Sequence, residues 1–142
     1  MAKPHFFWNG PFSQWQTSHF TYQGVAFTSA EQAMMHAKAV LFDDIATADL
    51  ILAATAPGKQ KALGRQVRGF DNARWDAAKY DIVLAINLAK YDQNKGLRRK
   101  LFQTGTAPMV EASPLDTIWG IGLDAQDAAR IPERDWPGQN LL

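Results

Sequence analysis

The sequence predicts a predominantly helical α+β fold, one compact domain over residues 1–142 with a small β-sheet or hairpin. Three observations carry this reading. The run "DNARWDAAKYDIVLAINLAKYDQN", Asp71 to Asn94, is the longest helical pattern in the chain. The stretch "HFTYQGVAFTS" alternates across a Gln-Gly step between two short aromatic and β-branched runs, which is a hairpin signal. No linker, repeat or low-complexity segment divides the 142 residues, and a hydrophobic content of 46% suffices for a core without disulfides.

Taken in order, "NGPFSQWQTSHF" holds turn formers around aromatic anchors and reads as an ordered loop leading into the hairpin. A helix follows from about Ala30 to Phe42, with Thr28 and Ser29 offered as N-caps and Glu31 and Gln32 where a capping box places them. A second helix is expected from Asp44 to Thr55, stopped before Pro57 because the residue preceding proline avoids helical geometry. "GKQKALGRQVRGF" starts as a short helix, which Gly64 and Gly69 break into a basic loop carrying Lys59, Lys61, Arg65 and Arg68. Asp71 is the N-cap of the long helix. Midway, Ile82, Val83, Leu84, Ile86 and Leu88 nearly encircle it, so it is expected to be central and buried. "KGLRRKLFQTG" is a further short helix ending at Gly105, "APMVEASP" has the character of a strand, and the remainder is loop-rich with one helical turn.

Charge and residue usage narrow the function classes. Fifteen basic residues against fourteen acidic ones give a formal charge of +1, so the chain is not a polybasic nucleic-acid coat, although a local basic patch stays open. The absence of cysteine excludes disulfide staples, Cys-zinc sites and a thiol nucleophile, and it fits a cytoplasmic protein. No stretch approaches a membrane span, and "MAKPHFFWNGPF" lacks a long apolar leader. His5, His19 and His36 have no ligand-like spacing, so no metal site is expected. "GIG" at Gly120 to Gly122 is too short for a dinucleotide fingerprint.

Four local features could carry chemistry. Glu31 and Lys38 fall on one face of the first helix, two turns or roughly 10 Å apart. That is too far for a direct pair along the axis but suited to gripping two ends of one ligand; a solvated face with two surface charges is the plain alternative. The loop from Lys59 to Arg68 could hold a phosphate through Arg65 and Arg68, with Gly64 and Gly69 allowing backbone N–H groups to approach, or be an ordinary solvated face. "EASPLDTIWGIG" combines Glu111 and Asp116 with Trp119 and Gly120, where a glycine beside an indole allows a flat group to approach; Trp119 as a core plug is the alternative. "WPGQNLL" places Asn140 after a turn, with an amide able to read polar ligand edges.

The collinear segments "GPFSQW", "FTSAEQAMMHAKA", "ALGRQVRGF", "WDAAKYDIVLAINLAKY", "LRRKLFQTG", "VEASPLDTIWGIG" and "WPGQNLL" resemble the NADAR family, also called YbiA-like or riboflavin-intermediate N-glycosidases, from about Phe6 to Leu142. The resemblance implies hydrolysis of an N-glycosidic bond between a ribose and a base-like leaving group, with no metal or redox cofactor. It implies Glu31 as the leading catalytic residue, and Lys38, Trp75, the Asp116–Trp119–Gly120 turn and Asn140 as pocket positions. Two substrate classes follow from it: ADP-ribose attached to guanine in nucleic acid, and ribosylamino-pyrimidine phosphate intermediates of riboflavin synthesis. A non-catalytic module binding ADP-ribose or an NAD-like nucleotide would use the same aromatic and basic residues without needing Glu31. Similar proteins usually continue past the last motif, whereas this chain stops at Leu142; the expectation is a compact variant or a dispensable last element.

Overall fold

The computed structural model describes residues 5–7, 13–103, 109–112, 118–121, 123, 125–130 and 137–138. Among them the elements are β1 (His5–Phe7), β2 (Phe20–Tyr22), β3 (Val25–Phe27), α1 (Ala30–Leu41), α2 (Ile45–Ala53), α3 (Pro57–Gly64), α4 (Asn72–Gln93), α5 (Lys95–Gln103), β4 (Met109–Glu111) and α6 (Ala125–Arg130). Helices dominate and the strands form two small two-stranded sheets, the α+β class expected from the sequence. The backbone divides into a continuous unit, Gln14–Lys95, and a second unit drawn from both ends of the chain, Met1–Ser13 and Gly96–Leu142. No helix among the described residues is long and apolar enough to cross a membrane.

In the continuous unit the expected hairpin is present, with Phe20 opposite Phe27 and Tyr22 opposite Val25. Its turn needs two successive left-handed residues, and Gln23 (φ 50°) and Gly24 (φ 79°) supply them, which matches the right-handed twist of the flanking strands. Ser29 caps α1, its hydroxyl oxygen accepting from the Gln32 N–H at 3.1 Å, and the Gln32 side-chain oxygen reaches back to accept from the Thr28 N–H at 2.8 Å. This is the reciprocal capping logic read in the sequence, with Gln32 rather than Glu31 serving as the returning group. The Gln32 amide nitrogen also donates to the carbonyls of Ile51, Leu52 and Ala54, so one side chain closes the start of α1 and the end of α2.

The core of this unit is built around α1, whose Ala30, Ala33, Met34, Met35 and Ala39 are buried. Its alanines let α2 and α3 approach closely, with Ala48 and Ile51 buried opposite, and Trp75, Val83 and Ile86 of α4 buried as well. Gly64 does more than end α3. A Cβ there would overlap the Met35 sulfur, so the glycine is required by the approach of α1 and α3.

The long helix α4 differs from its expected full burial. Leu84 (48% exposed) and Leu88 (64%) lie on a face open to solvent, together with Tyr80. The buried face carries two lysines, Lys79 and Lys90, beside the apolar side chains. Apolar residues encircle the helix in the sequence, but within this unit only one side meets α1 and β2.

In the second unit β1 pairs in parallel with β4, His5 opposite Met109 and Phe7 opposite Glu111, and the Ala112 N–H extends the ladder to the Phe7 carbonyl at 2.6 Å. The β4 strand was expected; β1 was not. Val110, Ile121 and Ala128 form a small core here, flanked by Phe6 and Leu123.

Candidate active site

The first turn of α1 sets the site. Glu31 is the second residue of the helix, where an N–H has no intrahelical partner, and that N–H donates to the Gln14 carbonyl at 2.9 Å. The loop at Gln14 therefore lies against the residue that the sequence picks as the leading carboxylate. Glu31 is 4% exposed, so it is not a solvated surface charge.

Two turns on, Lys38 stands over an aromatic floor. Its Nζ is 4.6 Å from the centre of the Phe70 ring and 5.9 Å from that of Trp75, within cation–π range. Phe42 meets Phe70 edge to face at 5.3 Å, and the Arg74 guanidinium lies 5.5 Å above Phe42. Burial holds the Lys38 ammonium below the ordinary lysine value; the Glu31 carboxylate opposes this and the Arg65 guanidinium adds to it. The Lys38 ammonium thus feels the charges of both Glu31 and Arg65, and Trp75, 8% exposed, supplies an aromatic face beside it. Four of the residues singled out in the sequence are gathered in this way.

The others fall differently. Arg68 is exposed, and its backbone N–H donates at 2.9 Å to Asp44, the residue that caps α2. That bond and the Thr47 hydroxyl hold the Asp44 carboxyl below its usual range. Trp119 and Gly120 belong to the second unit. There Gly120 is buried with its carbonyl against the α-carbon of Gly138, whose N–H donates to Ile121 at 2.7 Å, so a Cβ at Gly138 would overlap it. Asp116 and Asn140 lie outside the described residues.

Sequence reasoning gave no role to Phe42, Phe70, Gln14 or Asn87. Phe42 follows Lys38 by four residues, a helical-neighbour signal that could have been read. Phe70 follows Gly69 in the basic loop and offers no such spacing. The Gln14 side chain is 6% exposed, and its amide nitrogen donates to Asn87 Oδ1 at 2.8 Å, while Asn87 Nδ2 donates to the Val83 carbonyl at 3.0 Å. A contact across 73 residues leaves no local trace in the sequence.

A buried carboxylate, a half-buried ammonium, a guanidinium and an aromatic floor in one place can grip an anionic, partly flat ligand. The model of the NADAR domain matches residues 6–142. A relative named N-glycosidase R617, from Acanthamoeba polyphaga mimivirus, is 46% identical over 136 residues, covering 92% of this chain and 80% of its own. A second, named N-glycosidase Npun_R5314, from Nostoc punctiforme, is 32% identical over 113 residues, 80% of this chain and 72% of its own. The fold is similar to that of the Escherichia coli protein YbiA, solved by NMR, with a TM-score of 0.75 at 23% identity over 86% of this chain and 74% of the other. The chain belongs to the NADAR domain family.

Proposed function

We propose that this chain hydrolyses the ribosyl N-glycosidic bond of ADP-ribosylated guanine, with Glu31 as the catalytic carboxylate. Relatives named N-glycosidase and the NADAR match make it a glycosidase of N-glycosyl bonds. The observation that supports Glu31 is its burial on the first turn of α1, in electrostatic reach of Lys38. Breaking the C1–N bond builds positive charge on the sugar, and a desolvated carboxylate beside C1 stabilises it far better than one in water. Water then adds its oxygen to C1 and gives a proton to Glu31, which passes it to the leaving nitrogen as the C1–N electron pair departs, so that the carboxylate is regenerated.

Lys38, Arg65 and Arg68 are assigned to phosphate oxygens, and Trp75 and Trp119 to stacking on the leaving base or walling the sugar. Gly120 gives room for a flat group, and Asp116 and Asn140 are assigned to polar edges of the substrate by the family resemblance. A second reading, favoured by a formal charge of only +1, is a small substrate of the ribosylamino-pyrimidine phosphate class rather than a nucleic acid. A substrate panel decides. Release of ADP-ribose from modified guanine DNA supports the first reading, release of base from the small phosphate supports the second, and ADP-ribose binding without cleavage of either would leave a binding module and overturn both.

A further inference from the structure

Arg74, in the first turn of α4, has no part in this mechanism, yet its guanidinium lies 5.5 Å above the Phe42 ring. Phe42 meets Phe70 at 5.3 Å, and the Lys38 ammonium lies 4.6 Å over Phe70. Each ring of this aromatic pair therefore carries a cation. Phe70 follows Gly69, whose φ of 72° suits glycine, and it remains 43% exposed. Arg74 is exposed as well, so a ligand in solution can reach both.

Neither cation is neutralised. Among the described residues no carboxylate pairs with the Lys38 ammonium or the Arg74 guanidinium, and neither group donates a hydrogen bond. The carboxylates nearest Arg74 in the chain are committed elsewhere. Asp71 caps α4 by accepting from the Ala73 N–H at 3.0 Å, and Asp76 is ion-paired with Lys79 at 2.8 Å. Arg68 differs, because its charge bears on the Asp44 carboxylate. From Ala56 to Trp75 five basic residues stand against one acid, in a chain whose charges nearly cancel. The Arg65 guanidinium already works against the Lys38 ammonium, a repulsion that a bound anion would relieve.

We propose that Arg74 holds the second phosphate of a diphosphate-bearing ribosyl substrate, with Lys38 and Arg65 on the first. This rests on the N-glycosidase reading and narrows it to one chemical class of substrate. A monophosphate is served by Lys38 and Arg65, whose charges act on each other. A further guanidinium over the neighbouring ring has a use only when the anion is longer. The planar fork of Arg74 matches two phosphate oxygens, and the Phe42 and Phe70 rings keep water from one side of the bridge, which strengthens both contacts. Arg74 is then a specificity residue that favours a ribosyl diphosphate over a ribosyl monophosphate.

The test measures Kd by calorimetry for ribose 5-phosphate, ribose 5-diphosphate and ADP-ribose on wild type, Arg74→Met and Arg74→Lys, with folding checked by circular dichroism. Arg74→Met keeps an apolar stem over Phe42 and removes the charge. It is expected to weaken both diphosphates about tenfold and to leave the monophosphate within about twofold. Arg74→Lys keeps the charge without the fork and is expected to fall between Arg74→Met and wild type. Equal loss on all three ligands, or loss on none, overturns the assignment and leaves the hydrolase reading intact. Loss on ADP-ribose alone overturns it too, since Arg74 would then be reading the adenosine. A wild type that binds none of the three overturns this inference, and the hydrolase reading falls with it only if every N-ribosyl substrate also stays uncut.

Discussion

The N–H of Glu31 donates to the carbonyl of Gln14 at 2.9 Å, so the helix that carries the carboxylate is tied at its second residue to a loop seventeen positions earlier in the chain. The tie is made by backbone, and a side-chain change at Glu31 leaves it in place.

Glu31→Gln should therefore fold as wild type and lose catalysis. The amide matches the carboxylate in shape but carries no charge, so turnover is expected to fall at least about a hundredfold while the melting temperature stays within a few degrees. Initial rates and thermal melts on one preparation check both halves. Undiminished turnover in a folded variant removes Glu31 from the chemistry.

Lys38 is the residue whose loss should act on binding. Lys38→Met keeps the stem over Phe70 and Trp75 but removes the charge, and KM for a phosphate-bearing substrate is expected to rise about tenfold or more. Burial and Arg65 hold the ammonium below the ordinary lysine value, so anion binding, which needs the protonated form, is lost as pH rises through a value under 10.5. Because the Glu31 carboxylate opposes that lowering, Glu31→Gln should move the alkaline limb of ADP-ribose binding to lower pH still. Calorimetric titrations across pH 7 to 10 measure it, and a limb unmoved by Glu31→Gln contradicts the coupling.

Gly64→Ala should destabilise the continuous unit. The new methyl group collides with the Met35 sulfur, and the overpacking is expected to cost about 1–3 kcal/mol. Shortening the partner in Met35→Ala opens space, so the double variant should lose less than the sum of the two single changes. Additive denaturation midpoints would show that the two residues are not in contact.

These residues show what a sequence can carry. The hairpin was legible because its turn is specified by two adjacent residues, Gln23 and Gly24, and α1 because its caps lie within four residues of one another. Glu31 and Lys38 could be placed on one face by helical spacing alone. Strand β1 was not legible: three residues of ordinary character become a strand only because Met109 to Glu111 lie alongside. The exposed side of α4 was missed for a related reason, since Leu84 and Leu88 look like core residues until one knows which neighbours are present. Phe70 and Gln14 likewise take their places through partners distant in the chain, Lys38 and Asn87.

Lys90 offers a test that involves no substrate. It is fully buried on α4, and burial lowers its ammonium from 10.5 to about 8. The folded chain gives up this proton more readily than the unfolded one, so below pH 8 the buried charge costs up to about 3 kcal/mol. That cost fades as pH rises from about 8 towards 10.5. Lys90→Met should accordingly be the more stable protein at pH 7, with the gap closing by pH 10. Tyr91, raised to about 12 by burial, works in the opposite direction only above its ordinary value near 10, so the comparison belongs below it. Urea melts of both proteins at several pH values give the difference directly, and a gap that does not vary with pH refutes the assignment.

The parallel register of β1 with β4 has a consequence for biosynthesis. His5 leaves the ribosome early and Met109 late, with the whole of Gln14–Lys95 translated between them. The first strand must wait for its β4 partner while the helices behind it are already synthesised. Synthesis thus sets an order, with the inner segment closing first and the two ends of the chain joining last. An interrupted translation product should contain a finished interior and an orphaned leading strand.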